Sequence, residues 1–396
     1  MISWLTKTHP VTSGVPPRRL DRWLAEFSGA FGDLGTFLPY VLGALTIGGL
    51  APQGLLLGFG LALIGAGLFF RAPVAVQPMK VVGAVLLAQG MTPGEVAAAG
   101  MMLGGLLLLL VATGALGRVV RWVPRPVILG LQLGLGLSMA WLGAGLMANP
   151  VWLGALALGC LLIFLRLPYC PAAPAALLVA ILAGWTAGLS EPPAGLSPGW
   201  SLPTLTLPSW DEVVRAVGLA VLPQLPLTLA NAVIVTAALA HELFPDRSAR
   251  TGERHLALST GITNLLLSPL GALPMCHGAG GLQAQYRYGA RTGAAPVILG
   301  VILLALGLFF AGAAAAMLAF IPIAAGGALL LIAGADLALS RRLFNDLPVQ
   351  WPVIGLTAVL TMAANPAVGL AGGWLAAAAR GPLARAIQNR RTSAGR

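Results

Sequence analysis

Gln77-Pro78-Met79-Lys80 and Leu273-Pro274-Met275-Cys276-His277-Gly278 are two short segments built alike, each a Pro-Met pair followed closely by a basic side chain and flanked by small residues. Pro78 and Pro274 stand 196 residues apart, about half of the 396-residue chain. A proline suits the first turn of a helix, and the free N–H groups of that turn, together with the positive end of the helix dipole, attract anions. Two such starts in corresponding places point to a transporter made of two halves, with an anion held between them.

Composition sets the class independently of any motif. Hydrophobic residues make up 58% of the chain and charged residues 9%, and the mean hydropathy is +0.88; a soluble domain carries roughly 25% charged residues. Apolar runs recur along nearly the whole length, many of them near the ~20 residues needed to span a bilayer as a helix. The expected fold is therefore an all-α, polytopic membrane protein. Spans are predicted at 24–46, 53–70, 73–89, 94–116, 125–148, 151–166 and 172–189, and again at 214–239, 254–271, 274–289, 293–319, 322–340, 349–363 and 366–380.

The net charge of +11 does not signal a nucleic-acid partner, because the basic residues follow the spans. Of the 23 Lys and Arg, only Lys80 and Arg215 fall outside segments that this topology places in the cytoplasm. That bias orients membrane proteins. It predicts a cell-membrane protein, a bacterial inner membrane being the expected setting, with both termini cytoplasmic and the bilayer as its main partner. No nucleic acid is expected, and the reading leaves room for a homodimer.

About fourteen spans divide as seven plus seven, and an odd number per half makes the second half enter from the opposite side, an inverted repeat. Pro124 and Pro322 supply a second pair of landmarks, 198 residues apart. The organisation follows: a cytoplasmic tail over 1–23, a first repeat over 24–189, an extracytoplasmic connection over 190–213, a second repeat over 214–380 and a basic cytoplasmic tail over 381–396. Most of the 52 glycines, including the runs Gly130–Gly136 and Gly300–Gly307, read as positions of close helix packing. Three cysteines, widely scattered, make neither a disulfide framework nor a metal site; no cofactor is expected.

Polar side chains inside spans are expensive in lipid and so mark cavities or partners. They concentrate in the first, third, eighth and tenth spans: Glu26, Asp33, Thr36, Gln77 and Lys80, then Gln224, Thr228, Asn231, His277, Gln283 and Gln285; Gln132, Asn264 and Asp336 lie in other spans.

The segments Phe31-Gly32-Asp33-Leu34-Gly35-Thr36-Phe37-Leu38-Pro39, Gln77-Pro78-Met79-Lys80, Leu222-Pro223-Gln224-Leu225-Pro226-Leu227-Thr228-Leu229-Ala230-Asn231 and the long run from Pro274 through Arg291 resemble those of the molybdate transporters related to the sulfate permease superfamily. The resemblance extends from about residue 25 to 380. It implies a seven-plus-seven inverted repeat with a gate and a core domain, a broken third and tenth span whose helices start near mid-membrane, and oxyanion uptake with molybdate as the expected substrate. The alternatives are a sulfate transporter or an anion channel of the same fold. A nucleobase carrier of that fold would place carboxylates in the eighth and tenth spans, where this chain has Gln224, Asn231 and His277. No paired acids, metal cluster or nucleophile motif indicates an enzyme.

A tetrahedral dianion needs donors from several directions. The N–H groups near Met79–Val81 and Cys276–Ala279 are placed to supply them, with Gly278 admitting close approach of the backbone. Thr36, Gln77, Gln224, Asn231 and Gln285 are candidate neutral donors. Lys80 either compensates the anion's charge or pairs with Asp33 or Glu26, and His277 either donates to the anion or is a satisfied interior histidine. Importing a dianion into a negative interior costs about 2.3 kcal/mol per charge per 100 mV, so proton coupling is expected, with Asp33 first and Glu26 second as the acids that carry it.

Overall fold

A computed structural model describes residues 19–120, 124–167, 172–189, 199–247, 249–313, 320–339 and 350–393. Most of the expected tail over 1–23, part of the connection over 190–213 and the arginines at 341 and 342 lie outside the described residues. Sixteen helices are labelled here: α1 (Arg19–Ala30), α2 (Leu34–Thr46), α3 (Pro52–Phe70), α4 (Lys80–Gln89), α5 (Pro93–Ala112), α6 (Leu116–Val120), α7 (Arg125–Met147), α8 (Val151–Phe164), α9 (Ala172–Thr186), α10 (Trp210–Leu243), α11 (Glu253–Leu267), α12 (Ala279–Arg287), α13 (Ala294–Phe309), α14 (Ile323–Ala338), α15 (Trp351–Ala363) and α16 (Pro366–Ser393). Among the described residues, α3, α5, α7 and α10 are long and apolar enough to cross a membrane alone. The protein is a mostly helical, multi-pass membrane protein.

The helices sort into two packed groups. In one, α3 lies along α13, α5 along α11, α1 against α12 and α13, and α10 against α5. In the other, α7 is flanked by α14, α15 and α16, while α8 packs on α9 and α14. Glycine sets the closeness of these crossings. A Cβ on Gly136 would lie 2.5 Å from the carbonyl of Gly334, and one on Gly334 would lie 2.6 Å from that of Gly136, so α7 and α14 touch backbone to backbone. With lipid tails as apolar as leucine, such contact is what holds membrane helices together. Gly60 meets Gly300 where α3 crosses α13, and Gly104 meets Gly261 where α5 crosses α11. Gly104 and Gly300 are again 196 residues apart, the spacing of the two Pro-Met segments.

Those segments are extended. β1 (Gln77–Pro78) pairs antiparallel with β2 (Met275–Cys276), Gln77 opposite Cys276 and Pro78 opposite Met275. The pairing continues one residue further, where the Met79 N–H donates to the Pro274 carbonyl at 2.7 Å. Backbone groups of these segments are satisfied by the partner segment and, at Met275, by the Asn264 side chain, which is what permits non-helical chain at membrane depth.

Several boundaries differ from expectation for physical reasons. The first span breaks into α1 and α2 at Phe31–Asp33, where Gly29 and Gly32 are joined by a turn bond, Gly32 N to Gly29 O, of 3.0 Å. The helical part of the third span starts only at Lys80 and that of the tenth only at Ala279, since the preceding residues form the ladder. The eighth span is longer than read, reaching from Trp210 to Leu243. It widens into π turns at Val217–Val221 and Thr228–Val235, either side of Pro223 and Pro226; prolines cannot donate to the i→i−4 ladder, and a wider turn absorbs the gap. The last helix continues past 380 to Ser393.

Candidate functional site

α4 and α12 begin on either side of the ladder, and their first residues face side chains from the first and eighth spans. At α4, the Val81 N–H donates to Gln224 Oε1 at 2.8 Å, and Gln224 Nε2 in turn donates to Thr228 Oγ1 at 2.8 Å. Gln224 is buried. Its amide is thereby fixed in orientation, with the carbonyl against the helix start. Lys80 is half-buried and makes no ion pair with Asp33 or Glu26 among the described residues.

At α12 the neighbour is charged. Asp33, buried at the break between α1 and α2, accepts from Gln77 Nε2 at 2.6 Å through Oδ1, and the Thr36 hydroxyl donates to the same oxygen. Gln77 Nε2 also donates to Thr36 Oγ1 at 2.7 Å. Gln77 Oε1 occupies the space beside Gly278, where a Cβ would lie 1.6 Å from it. A Cβ on Gly281, in the first turn of α12, would stand 2.5 Å from Asp33 Oδ2 and 2.8 Å from Gln77 Nε2. Thr36, Gln77, Asp33, Gly278 and the start of α12 thus form one compact polar cluster. The carboxylate sits where a helix N-terminus favours negative charge.

Other residues expected at the site are placed differently. Met79 and Cys276 are buried within the ladder, and Met79 meets it through its backbone. His277 turns away: Nδ1 lies 3.1 Å from the Ala75 carbonyl, Nε2 lies 3.0 Å from Ser259 Oγ, and the ring packs edge-on against Phe70. With Nδ1 donating to the carbonyl and Nε2 accepting from the hydroxyl, both nitrogens are engaged, as in a satisfied interior histidine. Asn231 is half-buried, and its carbonyl accepts from Thr236 Oγ1 at 2.9 Å. Gln285 is buried on α12, one turn beyond Gly281, with Oε1 unpartnered among the described residues. Glu26 lies in the second half of α1, seven residues before Asp33, and its Oε1 accepts from the Arg291 N–H at 2.9 Å.

Asn264 is a member of the frame that sequence reasoning noted as a polar residue in a span without giving it a role. Its side chain brackets β2: Oδ1 accepts from Met275 N at 2.8 Å, and Nδ2 donates to the Met275 carbonyl at 2.6 Å and the Thr260 carbonyl at 2.7 Å. An amide that matches both groups of one residue acts as a substitute strand.

A family model described as "Molybdate transporter of MFS superfamily" matches residues 25–139 and 216–337, the two stretches that contain every side chain of this cluster. The chain belongs to the molybdate transporter family. Molybdate transporter 2 of Arabidopsis thaliana is 33% identical over 395 residues, covering 87% of this chain and 84% of the relative. Molybdate transporter 1 of Chlamydomonas reinhardtii is 32% identical over 483 residues, covering 91% and 93%. Among solved structures, the transmembrane domain of the cyanobacterial bicarbonate transporter BicA superposes with a TM-score of 0.65 at 18% identity, covering 91% of this chain and 98% of that one. Murine Slc26a9, an anion transporter in an inward-facing state, gives 0.65 at 12% identity, covering 98% and 70%. These likenesses show a transporter fold similar to those of BicA and Slc26a9. The family is one of transporters and not of enzymes.

Proposed function

We propose that the protein is a secondary active transporter that imports molybdate in symport with protons, through a seven-plus-seven inverted repeat in a bacterial inner membrane with both termini cytoplasmic. The observation that carries this reading is the pair of helix starts held face to face by the β1–β2 ladder. Similarity to named molybdate transporters supports the choice of oxyanion. In this reading the backbone N–H groups of Lys80, His277, Gly278 and Ala279 bind the anion, while Met79 and Cys276, whose backbones the ladder engages, hold the two helix starts in place. Thr36, Gln77, Gln224, Asn231 and Gln285 orient or supply neutral donors, and Lys80 offsets the charge.

Asp33 is the coupling acid. Its carboxylate occupies the start of α12, so an incoming dianion meets like charge there unless the carboxyl is protonated. Loading a proton on Asp33 thus favours loading the anion, which is the linkage a symporter requires. Glu26 is the second acid, on the route from that site to the Arg-rich side. The test is uptake of radiolabelled molybdate into proteoliposomes, with an imposed pH gradient, against competing sulfate and tungstate. Uptake that ignores the gradient would remove proton coupling, and stronger competition by sulfate than by unlabelled molybdate would reassign the substrate.

A further inference from the structure

Away from the ladder, on the outer face of the first helix group, α3 and α11 diverge to leave an apolar groove of about 400 Å³. Leu61 and Phe69 on α3 and Ile262 and Leu266 on α11 form its exposed rim. The recess exists because α3 presents small residues there; a Cβ on Gly65 would meet nothing within 4 Å. At the Arg-rich end of the same helix lies a second cleft of about 470 Å³, lined by Arg71, Arg247 and Thr292 together with Gly67 and Gly293. No carboxylate lines either cavity.

The two are joined by basic groups. Arg250 Nη1 donates to the carbonyl of Phe69, a rim residue of the groove, at 3.2 Å, and Arg247 Nη1 donates to the Arg291 carbonyl at 2.7 Å beside the cleft. Arg71 closes α3 at φ 54° with its backbone N–H on the Gly67 carbonyl at 3.1 Å; the residue is exposed, and its guanidinium has no hydrogen bond or ion pair among the described residues. An apolar slot of membrane depth that ends in guanidinium groups with no acid among them is complementary to a ligand with a hydrocarbon chain and an anionic head.

We propose that the α3–α11 groove and the arginine cleft together bind one anionic phospholipid from the leaflet on the Arg-rich side, an acyl chain lying on Gly65 and the phosphate meeting Arg71 and Arg247. This site is separate from the ladder and does not depend on which oxyanion is carried. The groove nevertheless touches the frame of the site, because Ser259, which lines it, holds His277 Nε2 at 3.0 Å.

The experiment uses the full chain purified in a neutral detergent and titrated with dioleoylphosphatidylglycerol, dioleoylphosphatidylcholine or glycerol 3-phosphate. Melting temperature and lipid retained in native mass spectrometry are the two readouts. Phosphatidylglycerol is expected to bind and stabilise the protein in preference to phosphatidylcholine, and glycerol 3-phosphate to do neither. Arg71→Asn keeps a residue tolerated at positive φ and should lower the apparent affinity for phosphatidylglycerol by about fivefold, the contribution of one basic residue near an anionic surface. Gly65→Leu, which fills the recess, should lower it as well. Equal binding of the two lipids, an unchanged preference in Arg71→Asn, or stabilisation by glycerol 3-phosphate matching that by phosphatidylglycerol would each overturn the assignment. Should Gly65→Leu fail to fold, Arg71→Asn decides alone.

Discussion

At the start of α4 the acceptor is an amide, Gln224, whose oxygen takes the Val81 N–H at 2.8 Å. At the start of α12 the corresponding place is held by Asp33, a carboxylate tied to Gln77 and Thr36 and pressed against Gly281. The two starts are joined by one ladder, but the side chains that face them differ. An amide is neutral at every pH, so α4 presents the same field throughout a transport cycle. A carboxyl group changes charge, so α12 has two states. In the proposed mechanism, binding belongs to what the two starts share and coupling to what they do not.

Four substitutions break or sharpen that contrast. The largest effect is expected of Gly278→Val. Its Cβ falls within 1.6 Å of Gln77 Oε1, and Gln77 cannot yield without releasing Asp33 and Thr36. Molybdate uptake should be abolished while the protein still inserts and elutes as a single species in gel filtration; normal uptake would remove the α12 start from the site. Asp33→Asn makes α12 resemble α4. It should still bind the anion, but it loses one compensating charge per cycle, which at 100 mV corresponds to about fifty-fold in the accumulation ratio. Accumulation driven by a pH gradient equal to that of the parent would make Asp33 structural.

Lys80→Gln comes next, weakening anion binding by about 1–3 kcal/mol as for a charged hydrogen bond. Isothermal titration measures this directly, and unchanged affinity with a lower melting temperature would move Lys80 to a structural role. Smallest is Gln224→Leu, which leaves the Val81 N–H without its acceptor at a cost of about 1–3 kcal/mol in stability. Thermal unfolding in detergent reports it, and no change in melting temperature would show that water or another group caps α4 equally well.

Much of this frame was legible in the chain. Pro78 and Pro274 lie just ahead of the two helix starts, in the extended segments and not in a helical first turn, and polar side chains in apolar spans advertise Asp33, Gln77 and Gln224. The ladder was not legible, since two residues paired across 197 positions leave no periodic signal. For the same reason Asn264 showed only as a polar residue in a span, its role depending on what it faces. His277 had the right neighbours in sequence, but the direction of its ring is set by Ala75 and Ser259, distant in the chain. The break at Phe31–Asp33 hides in a continuous hydrophobic run, and the excess length of α10 comes from wide turns that no spacing rule announces.

The two-residue ladder has a mechanical consequence. It yokes both broken helices within one packed group, and Asn264 pins β2 from behind. Prising the helix starts apart to free a cargo would strip backbone hydrogen bonds in a setting with no water to replace them, at several kcal/mol for each group. Between the two helix groups the junction is softer, with α2 and α4 resting on α7 and α14, and Tyr40 Oη touching Met139 Sδ at 3.4 Å. For the proposed anion site, the cheaper journey is therefore as a passenger in an undivided carriage that slides past its neighbour, with the clasp around it never opening.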